Sequence, residues 1–525
     1  MIQIQNVPFP KGFLSPLLHK FSQGNHVGFK PYPLLGTHDS VEFVKEHYRN
    51  EFDLEKRLRI CLVIRDQYKN IELTPAQENN LYKLSQNDGY TVTTGQQIHP
   101  FLGPQFVYNK IFTAIITAKE LNAVPVFWMA TEDHDFDEIR DVHFLGKTYR
   151  WETTQSGAVG SFTTEGILEI IDQIKLDFPT DLNVQSLLSQ LRDFYGSAVS
   201  LADATRRVVQ HFWGHTGLLC LDPMNVILKQ DSTMIFENEI NGVFKAALDN
   251  HHEELRKNEI PVSIPSRNTH LFYFPNDSVK IRLRIDWKSD HFETSSQGFS
   301  WLKDELIDEI KAHPGRFSPN VLLRPIYQQN ILPNLVYIAG PSEFMYWLEL
   351  GNTFEVMNVI APRLQLRLSS LFVSKPNQKK INGLEIDIND VFDDSKQIID
   401  SIRNRFNSDS KLDQIQEELG LKFENLWNEL YQLKIPELKS LKKTHQQNLK
   451  EIKTIATNYR NGFYGENPLS KALKNWEGLN RDLFSRQVPQ ERKEFFLESL
   501  IKYKINEIEI DDLPNLPKFL IFKLP

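Results

Sequence analysis

The clearest pattern of apolar and polar positions is a strand–helix–strand unit in the first quarter of the chain. Residues 89–94 (GYTVTT) are rich in β-branched side chains, and residues 104–121 carry apolar side chains at helical spacing. Residues 124–130 (VPVFWMA) then form a continuous apolar run, which is typical of a parallel strand buried on both faces. Because such crossovers are right-handed, the pattern predicts two parallel strands joined by a helix.

Similar segments follow along the chain. Residues 215–223 (HTGLLCLDP) form an apolar run that ends at Asp222, and residues 334–350 read as a strand, a glycine-containing turn and a helix. Residues 269–286 alternate on either side of a Pro-Asn-Asp turn, which predicts an antiparallel hairpin. Together these segments predict an α/β fold with a Rossmann-like core.

The composition changes after about residue 376. Segments near 388–406, 411–434 and 437–460 are rich in Lys, Glu, Gln and Leu, and Pro436 separates the last two. Their apolar stripes predict an antiparallel helical or coiled-coil arm over residues 376–480. The stripes are formed by Leu412, Ile415, Leu419, Leu426, Leu430 and Leu433, and by Leu438, Leu441, Leu449, Ile452 and Tyr459. Residues 481–525 end in an apolar tail, FLIFKLP, which we expect to dock on the core.

Composition and charge exclude several classes of function. The 525 residues are 40% hydrophobic and 24% charged, the balance of a globular protein rather than a disordered one. The net charge of −8 argues against nucleic-acid binding, and no stretch is apolar enough to span a membrane. Cys61 and Cys220 lie in apolar surroundings, and no Cys/His metal pattern exists. The residues MIQIQNVPFPKG lack the basic region and long apolar run that are typical of a signal peptide. We therefore expect a cytoplasmic protein whose partners are neither membranes nor nucleic acids.

The polar residues at strand ends are the candidates for chemistry, since ligands of open α/β sheets bind there. The first cluster is TTGQQIHPFLGP, which leaves the first strand and enters the helix. The start of that helix predicts an anion site, and a lysine two turns further on could reach a phosphate or carboxylate. The alternative is a crossover loop with solvated glutamines. The candidate binding residues are Thr94, Gly95, Gln96, Gln97, His99, Gly103 and Lys110.

The second cluster, TEDHDFDE, directly follows the buried strand 124–130. Asp133, His134 and Asp135 are candidates for a general base, because a histidine between carboxylates is both oriented and made more basic. Glu132 is a candidate binding residue. Two alternatives are a metal site, if His134 and Glu138 lie one turn apart on a helix, and an acidic helix N-terminus.

The third cluster is AGPSEFMYW, with RPIYQQNILP just before it. Its candidate binding residues are Arg324, Gly340, Pro341, Ser342, Glu343 and Tyr346. An arginine at position 324 suits bidentate recognition of a carboxylate or phosphate. Glu343 has the alternative role of capping the helix.

The hairpin residues Arg282 and Arg284 alternate with apolar residues, so we expect them on the solvent face of a strand.

Four strings together resemble the bacillithiol biosynthesis cysteine-adding enzymes. They are TGQQ…GP (94–104), PVFWMATEDHDFDEI (125–139), GLLCLDP (217–223) and SPNVLLRPIYQQNILPNLVYIAGPSEFMYW (318–347). The order of these blocks and the helical arm match the family as well. One departure is the segment IHPFLGP after TGQQ, where the family often has small residues.

The resemblance implies a ligase that joins the cysteine carboxyl to the amine of glucosaminyl malate. It implies a nucleotidyltransferase-type core over residues 1–375, similar to class I aminoacyl-tRNA synthetases. Connecting-peptide insertions would lie at about 150–215, with the hairpin at about 265–290, and the coiled-coil arm would form a homodimer. Because a free carboxylate does not acylate an amine, ATP with Mg²⁺ is expected as the activating cosubstrate, and no tightly bound metal is expected.

Roles follow from this chemistry as expectations. Lys110 and Arg324 would neutralise phosphate charge. The amine proton would be taken by Asp133, His134 or Asp135. The malate carboxylates would be bound by Arg324 or Arg282. Two other classes of function stay open: a metal-dependent hydrolase built on TEDHD, and a non-catalytic assembly protein that acts through its arm. All of these expectations require the three strand-end clusters to face one cleft.

Overall fold

The computed structural model describes most of the chain. The described residues are 3–10, 13–22, 38–275, 281–406, 410–432, 444–451, 454–455, 468–485, 488–505, 508 and 518–524. Local signals set the ends of several helices. Thr74, for example, caps the helix Pro75–Leu84 by accepting from the backbone N–H of Gln77, with Pro75 at the first helical position.

A five-stranded parallel sheet forms the centre of the molecule. Its strands are β1 (Thr91–Gln96), β2 (Val124–Met129), β3 (Leu219–Leu221), β4 (Asn334–Ala339) and β5 (Arg363–Leu366). The order across the sheet is β5-β4-β1-β2-β3, and every neighbouring pair is parallel. This is the Rossmann order, in which the chain changes direction between β1 and β4. The predicted Rossmann-like core is confirmed.

Helix α1 (Gln105–Glu120) joins β1 to β2, as the periodicity predicts. It is buried along nearly its whole length, including the polar residues Gln105, Asn109 and Lys110. Buried polar groups need hydrogen-bond partners, so these side chains connect α1 to other parts of the fold. Lys110 in particular reaches the ends of the neighbouring strands.

The crossover from β2 to β3 contains the region predicted as a helical insertion. It begins with a hairpin of Asp141–Phe144 and Lys147–Arg150. Three helices follow, Glu165–Asp177, Leu182–Gly196 and Leu201–Trp213. Their buried apolar faces join the core of the protein.

A second sheet of five antiparallel strands carries the predicted hairpin. Its order is Ser300–Trp301, Phe292–Thr294, Leu283–Trp287, Leu271–Tyr273 and Phe317–Pro319. The hairpin pairing is confirmed, with Phe272 opposite Arg284, although turn residues Asn276 and Asp277 lie outside the described residues. Arg284 is exposed, as expected for a solvent face.

The same expectation is wrong for Arg282. Its guanidinium lies 4.1 Å from the ring centroid of Phe272 and donates to the carbonyl oxygen of Pro319 at 2.6 Å. Arg282 precedes the hydrogen-bonded part of its strand, so alternation along the strand does not decide where its side chain lies. It lines a cavity instead.

The two ends of the chain meet in a three-stranded sheet. Its order is Gln3–Val7, Phe519–Lys523 and Ser369–Val373. The apolar tail therefore lies on the core. The helices Gln490–Lys493 and Phe496–Tyr503, just before it, cover the start of α1. The backbone N–H of Gln105 donates to Glu494 at 2.8 Å, and that of Phe496 donates to Gly103 at 2.9 Å.

Helices also form in the region predicted as an arm. They span Ser395–Phe406, Ser410–Gln432 and Pro468–Leu483, and residues 444–451 are helical. The rings of Phe423 and Trp427 stack on His445, with centroids 5.0 and 4.2 Å apart. Pro436 lies outside the described residues, and the coiled coil stays a prediction.

The remaining elements complete the layers around the central sheet. None of the described helices is long and apolar enough to cross a membrane. The other helices are Pro16–Ser22, His38–Glu51, Leu54–Gln67, Val226–Gln230, Thr233–Ile240, Val243–Lys257, Lys303–Ala312, Arg324–Ile331, Pro341–Leu348, Thr353–Val356 and Lys375–Leu384, and a two-stranded ribbon pairs Phe484–Ser485 with Val488–Pro489.

Candidate functional site

A cavity of about 600 Å³ lies at the carboxyl ends of β1, β2 and β4. This is the point where the strand order reverses, the usual binding place of such sheets. The strand-end clusters that the sequence singles out meet there. The lining includes Gly95, Gln96, Gln97, Lys110, Trp128, Ala130, Glu132, Asp133, Glu138, Pro223, Arg282, Pro319, Asn320, Val321, Arg324, Tyr337, Ser342, Glu343 and Tyr346.

Lys110 and Glu343 form the centre of one side of this cavity. The Nζ atom of Lys110 lies 2.5 Å from Oε2 of Glu343. The same ammonium donates to the carbonyl oxygen of Gly95 at 2.7 Å and to Oε1 of Gln96 at 3.0 Å. One lysine therefore joins helix α1, the end of β1 and the turn after β4.

Glu343 has further partners that fix its carboxylate. The backbone N–H of Gly340 donates to Oε2 at 3.2 Å, so Glu343 also caps its helix, as the alternative prediction has it. Tyr337 and Tyr346 donate their hydroxyls to Oε1 at 2.5 and 3.3 Å. Arg324 lies 3.8 Å from the same oxygen.

The charges of this cluster are coupled. Burial alone would raise the pKa of Glu343, but the charges of Lys110 and Arg324 outweigh burial and hold this pKa below its ordinary value. Burial lowers the pKa of Lys110, and Glu343 acts in the opposite direction. Two cations and one carboxylate leave one net positive charge beside the cavity. Such a site favours an anionic group of a ligand.

Gly95 makes room for this cluster. A Cβ atom at position 95 would lie 2.9 Å from the hydroxyl oxygen of Tyr337, closer than van der Waals contact allows. That hydroxyl also accepts from Arg324 at 3.2 Å, and the Tyr337 ring stacks on Trp347 with centroids 4.1 Å apart. Glycine is thus required here by close approach of a side chain rather than by backbone conformation.

Asp133 lies on the opposite side of the cavity, which the exposed Glu138 and the buried Glu132 also line. Its Oδ2 accepts from the amide of Gln97 at 2.6 Å, and its Oδ1 accepts from the backbone N–H of His134 at 2.8 Å. The His134 ring is half exposed, with Nδ1 3.8 Å from Oδ1 of Asp133. His134 and the exposed Asp135 lie outside the cavity lining. Of the three predicted base candidates, the structure places Asp133 in the cavity.

Glu132 and two cations stand next to Asp133. Lys229 donates to Oε1 of Glu132, and both residues are buried. Burial lowers the pKa of Arg282, while the carboxylates of Glu132 and Asp133 act in the opposite direction. Lys229 and Tyr337 are not predicted from the sequence, because VILKQD resembles a surface helix and Tyr337 stands in an apolar strand.

Other candidates of the first cluster lie outside the cavity. His99 is 8% exposed, and burial lowers its pKa to about 4, so the ring is neutral. It packs against Gly103, whose positive φ of 66° the turn requires. Thr94 is buried and donates to the carbonyl oxygen of Ile338, which joins β1 to β4.

The anion site predicted at the start of α1 is also wrong. The segment around Glu494 covers this helix end, and the carbonyl oxygen of Glu494 accepts from the backbone N–H of Gln105. None of the described residues that line the cavity belongs to the first turn of α1. By contrast, Gly340 and Pro341 form the turn that leads from β4 into the helix Pro341–Leu348, and Ser342, the second residue of this helix, lines the cavity.

The metal-site alternative loses its geometric basis. It requires His134 and Glu138 on one helix, but the helical turn there is a 3₁₀ turn over Phe136–Glu138 only. Among the residues that the structure describes, no group of three His, Cys, Asp or Glu side chains is placed to hold a metal ion.

A second cavity of about 500 Å³ lies near the amino end of β2. Aromatic residues including Tyr108, Phe112 and Trp213 line it, together with Lys83 and Lys119 at its edge. Its described lining includes His215 but no carboxylate and no arginine, in contrast to the lining of the first cavity.

Comparison with known proteins identifies the family of this chain. A protein of Flavobacterium johnsoniae named "Putative cysteine ligase BshC" is 32% identical over 405 residues, 76% of each chain. Proteins of the same name from Flavobacterium psychrophilum and Staphylococcus carnosus are 30% identical over 493 residues (91% of each chain) and 26% identical over 459 residues (82% of this chain, 84% of the relative). The family model "Bacillithiol biosynthesis BshC, N-terminal Rossmann-like domain" matches residues 2–368. The chain belongs to this bacillithiol biosynthesis family.

Proposed function

We propose that this protein is a cysteine ligase of bacillithiol biosynthesis that joins the carboxyl of cysteine to the free amine of glucosaminyl malate. The observation that carries the proposal is the cavity at the ends of β1, β2 and β4, with fixed cations on one side and the accessible carboxylate of Asp133 on the other. Family membership supports the same reaction class.

The cations fit the anionic parts of the proposed substrates. Glucosaminyl malate carries two carboxylates, and Arg282 and Arg324 are two separate guanidinium groups that line the cavity. Arg324 is oriented by hydrogen bonds to Gln328, Tyr337 and Tyr346 at 2.9 to 3.4 Å. An oriented guanidinium loses little freedom on binding a carboxylate, so Arg324 is suited to positioning the malate group.

Asp133 is suited to take the proton of the attacking amine. Its carboxylate lines the cavity and is hydrogen-bonded by the neutral amide of Gln97, which orients it without a charge. His134 lies outside the lining and can act on the cavity only through Asp133. We therefore assign the base role to Asp133 rather than to His134 or Asp135.

The cysteine carboxyl needs activation, because an oxide ion is too poor a leaving group for amide formation at neutral pH. ATP with Mg²⁺ would convert it to an acyl-adenylate with release of pyrophosphate, or to an acyl-phosphate with release of ADP. The amine would then displace AMP or phosphate. Lys110, Arg324 and the first turn of Pro341–Leu348 fit a phosphate group at the cavity. The start of α1 does not, since the C-terminal segment covers it.

The wider organisation of the protein is proposed along with its function. The catalytic core would span residues 1–375, with a nucleotidyltransferase-type arrangement of insertions, followed by the arm at 376–480 and a docking segment at 481–525. The enzyme would act in the cytoplasm as a homodimer formed through the arm. Leu419, Leu426 and Leu430 support this, because they are 39 to 52% exposed on one helix.

Replacing Asp133 with asparagine tests the base assignment. We expect Asp133→Asn to lower kcat by about 100-fold or more, the usual contribution of a general base, with little change in thermal unfolding. The measurement is amide formation from cysteine and glucosaminyl malate by the purified enzyme, followed by mass spectrometry. The matched control is Asp137→Asn on the same loop, whose side chain is 81% exposed and pairs with Arg140. Equal activity of the two variants would contradict the assignment.

Replacing Gly95 with alanine tests the cation cluster. We expect Gly95→Ala to displace the Tyr337 hydroxyl from Glu343 and to raise KM for glucosaminyl malate by about tenfold, because Arg324 loses a partner that orients it. Gly383→Ala is the control, since a Cβ atom there meets nothing within 4 Å. A wild-type KM in Gly95→Ala would show that the cluster does not position the substrate.

Polar substitution of the arm tests the proposed dimer. We expect Leu419→Gln, Leu426→Gln and Leu430→Gln together to weaken self-association by about tenfold or more, because three apolar side chains leave the interface. Sedimentation velocity over a concentration series measures this. Replacing exposed Leu176 and Leu182 in the same way serves as the control. An unchanged dimer in the arm variant would contradict the proposal.

A further inference from the structure

Lys229 is a charged residue in an environment that does not favour a free charge. It lies on the short helix Val226–Gln230, and its side chain is fully buried. The Nζ atom is 4.5 Å from the ring centroid of Tyr327 and 5.8 Å from that of Phe236. An ammonium removed from water in this way needs an anionic partner.

Glu132 is that partner, and it stands between Lys229 and the cavity. Lys229 donates to Oε1 of Glu132, whose side chain is 9% exposed. Glu132 lines the cavity, whereas Lys229 does not. Burial lowers the pKa of Lys229, and Glu132 acts in the opposite direction. Arg282 supplies a second cation near Glu132.

Stability alone gives a weak reason for such a pair. Desolvation of two charges offsets most of their attraction, and apolar residues of similar size often stabilise a protein equally well. A buried pair with one member in the wall of a ligand cavity instead fixes the position of a charge. The Lys229–Glu132 pair presents a carboxylate to the cavity at a defined place.

The two neighbouring carboxylates of the cavity differ in their surroundings. Glu132 is held by the ammonium of Lys229, which donates to Oε1 of its carboxylate. Asp133 accepts its side-chain hydrogen bond from the neutral amide of Gln97 and is more exposed. A carboxylate fixed by a buried ammonium is suited to holding a second cationic group in a defined position, while the more exposed Asp133 is suited to proton transfer.

The ligase reaction requires two amines to be treated differently. The amine of glucosaminyl malate must lose a proton before it attacks the activated carboxyl. The α-amine of cysteine must stay protonated, because as a free amine it would attack a second activated cysteine. A carboxylate that is fixed by an ion pair and is separate from the general base meets the second requirement.

On the basis of the proposed function, we propose that Glu132 binds the α-ammonium of cysteine and that Lys229 is the positioning residue that holds Glu132 in place. The pair would thus favour binding of cysteine over binding of a thiol acid of the same length that lacks the α-amino group. It would also leave Asp133 free to deprotonate the acceptor amine.

The test compares cysteine with 3-mercaptopropionate, which keeps the carboxyl and thiol but lacks the ammonium. We measure KM for cysteine and the inhibition constant of 3-mercaptopropionate, using full-length enzyme, glucosaminyl malate and ATP with Mg²⁺. Glu132→Gln and Lys229→Met should each raise KM for cysteine by about tenfold or more and leave the inhibition constant within about twofold. Lys229→Arg should restore part of the loss.

Two results would overturn this inference: an unchanged KM for cysteine in Glu132→Gln, or equal losses for cysteine and 3-mercaptopropionate. Failure of the proposed function has a different signature, because the wild-type enzyme would then form no amide product from cysteine at all.

A double variant separates positioning from stability. Glu132→Met with Lys229→Met replaces the pair by apolar residues and should keep a thermal midpoint near that of the wild type. We expect its KM for cysteine to stay raised, whereas a purely structural pair would return KM to the wild-type value along with stability. Lys380→Met, which removes a surface ion pair with Asp482 at 3.0 Å, is the control and should leave KM unchanged.

Discussion

The ion pair between Lys110 and Glu343 connects the elements that form the candidate site. Lys110 belongs to the buried helix α1, and Glu343 lies in the first turn of the helix Pro341–Leu348 after β4. Their contact closes the gap at the point where the strand order reverses, and it brings Arg324 and two tyrosine hydroxyls to the same carboxylate. These hydrogen bonds offset much of the desolvation cost of burying the two charges. The pair can therefore form a rigid part of the cavity wall.

The cavity has two sides with different electrostatic character. On one side the cations are locked by Glu343 and leave a net positive charge that suits carboxylates or phosphates. On the other side Glu132 is tied to Lys229, and Asp133 remains accessible. Amide formation needs both properties, because the activated carboxyl, which carries an anionic leaving group, and an amine that has lost its proton must meet in one place. The fold supplies them from the ends of different strands.

Much of this arrangement follows from local sequence. Apolar runs and helical periodicity predict the parallel core, and the rule that ligands bind at strand ends selects Gln96, Asp133 and Glu343 before any coordinates exist. The contacts missed from sequence depend on long-range packing. The start of α1 is covered by a segment almost 400 residues further along the chain, which turns a predicted anion site into a buried junction. Lys229 is buried by Tyr327, and nothing in its own helix indicates this.

Hydrogen–deuterium exchange with and without glucosaminyl malate tests the location of the site most directly. Bound ligand slows the opening of the backbone around it, and exchange reports this peptide by peptide. We expect glucosaminyl malate to slow amide exchange only in residues 93–97, 130–135 and 340–346, at the ends of β1, β2 and β4. Protection around the second cavity near Tyr108 and Trp213, with no change at the strand ends, would contradict it.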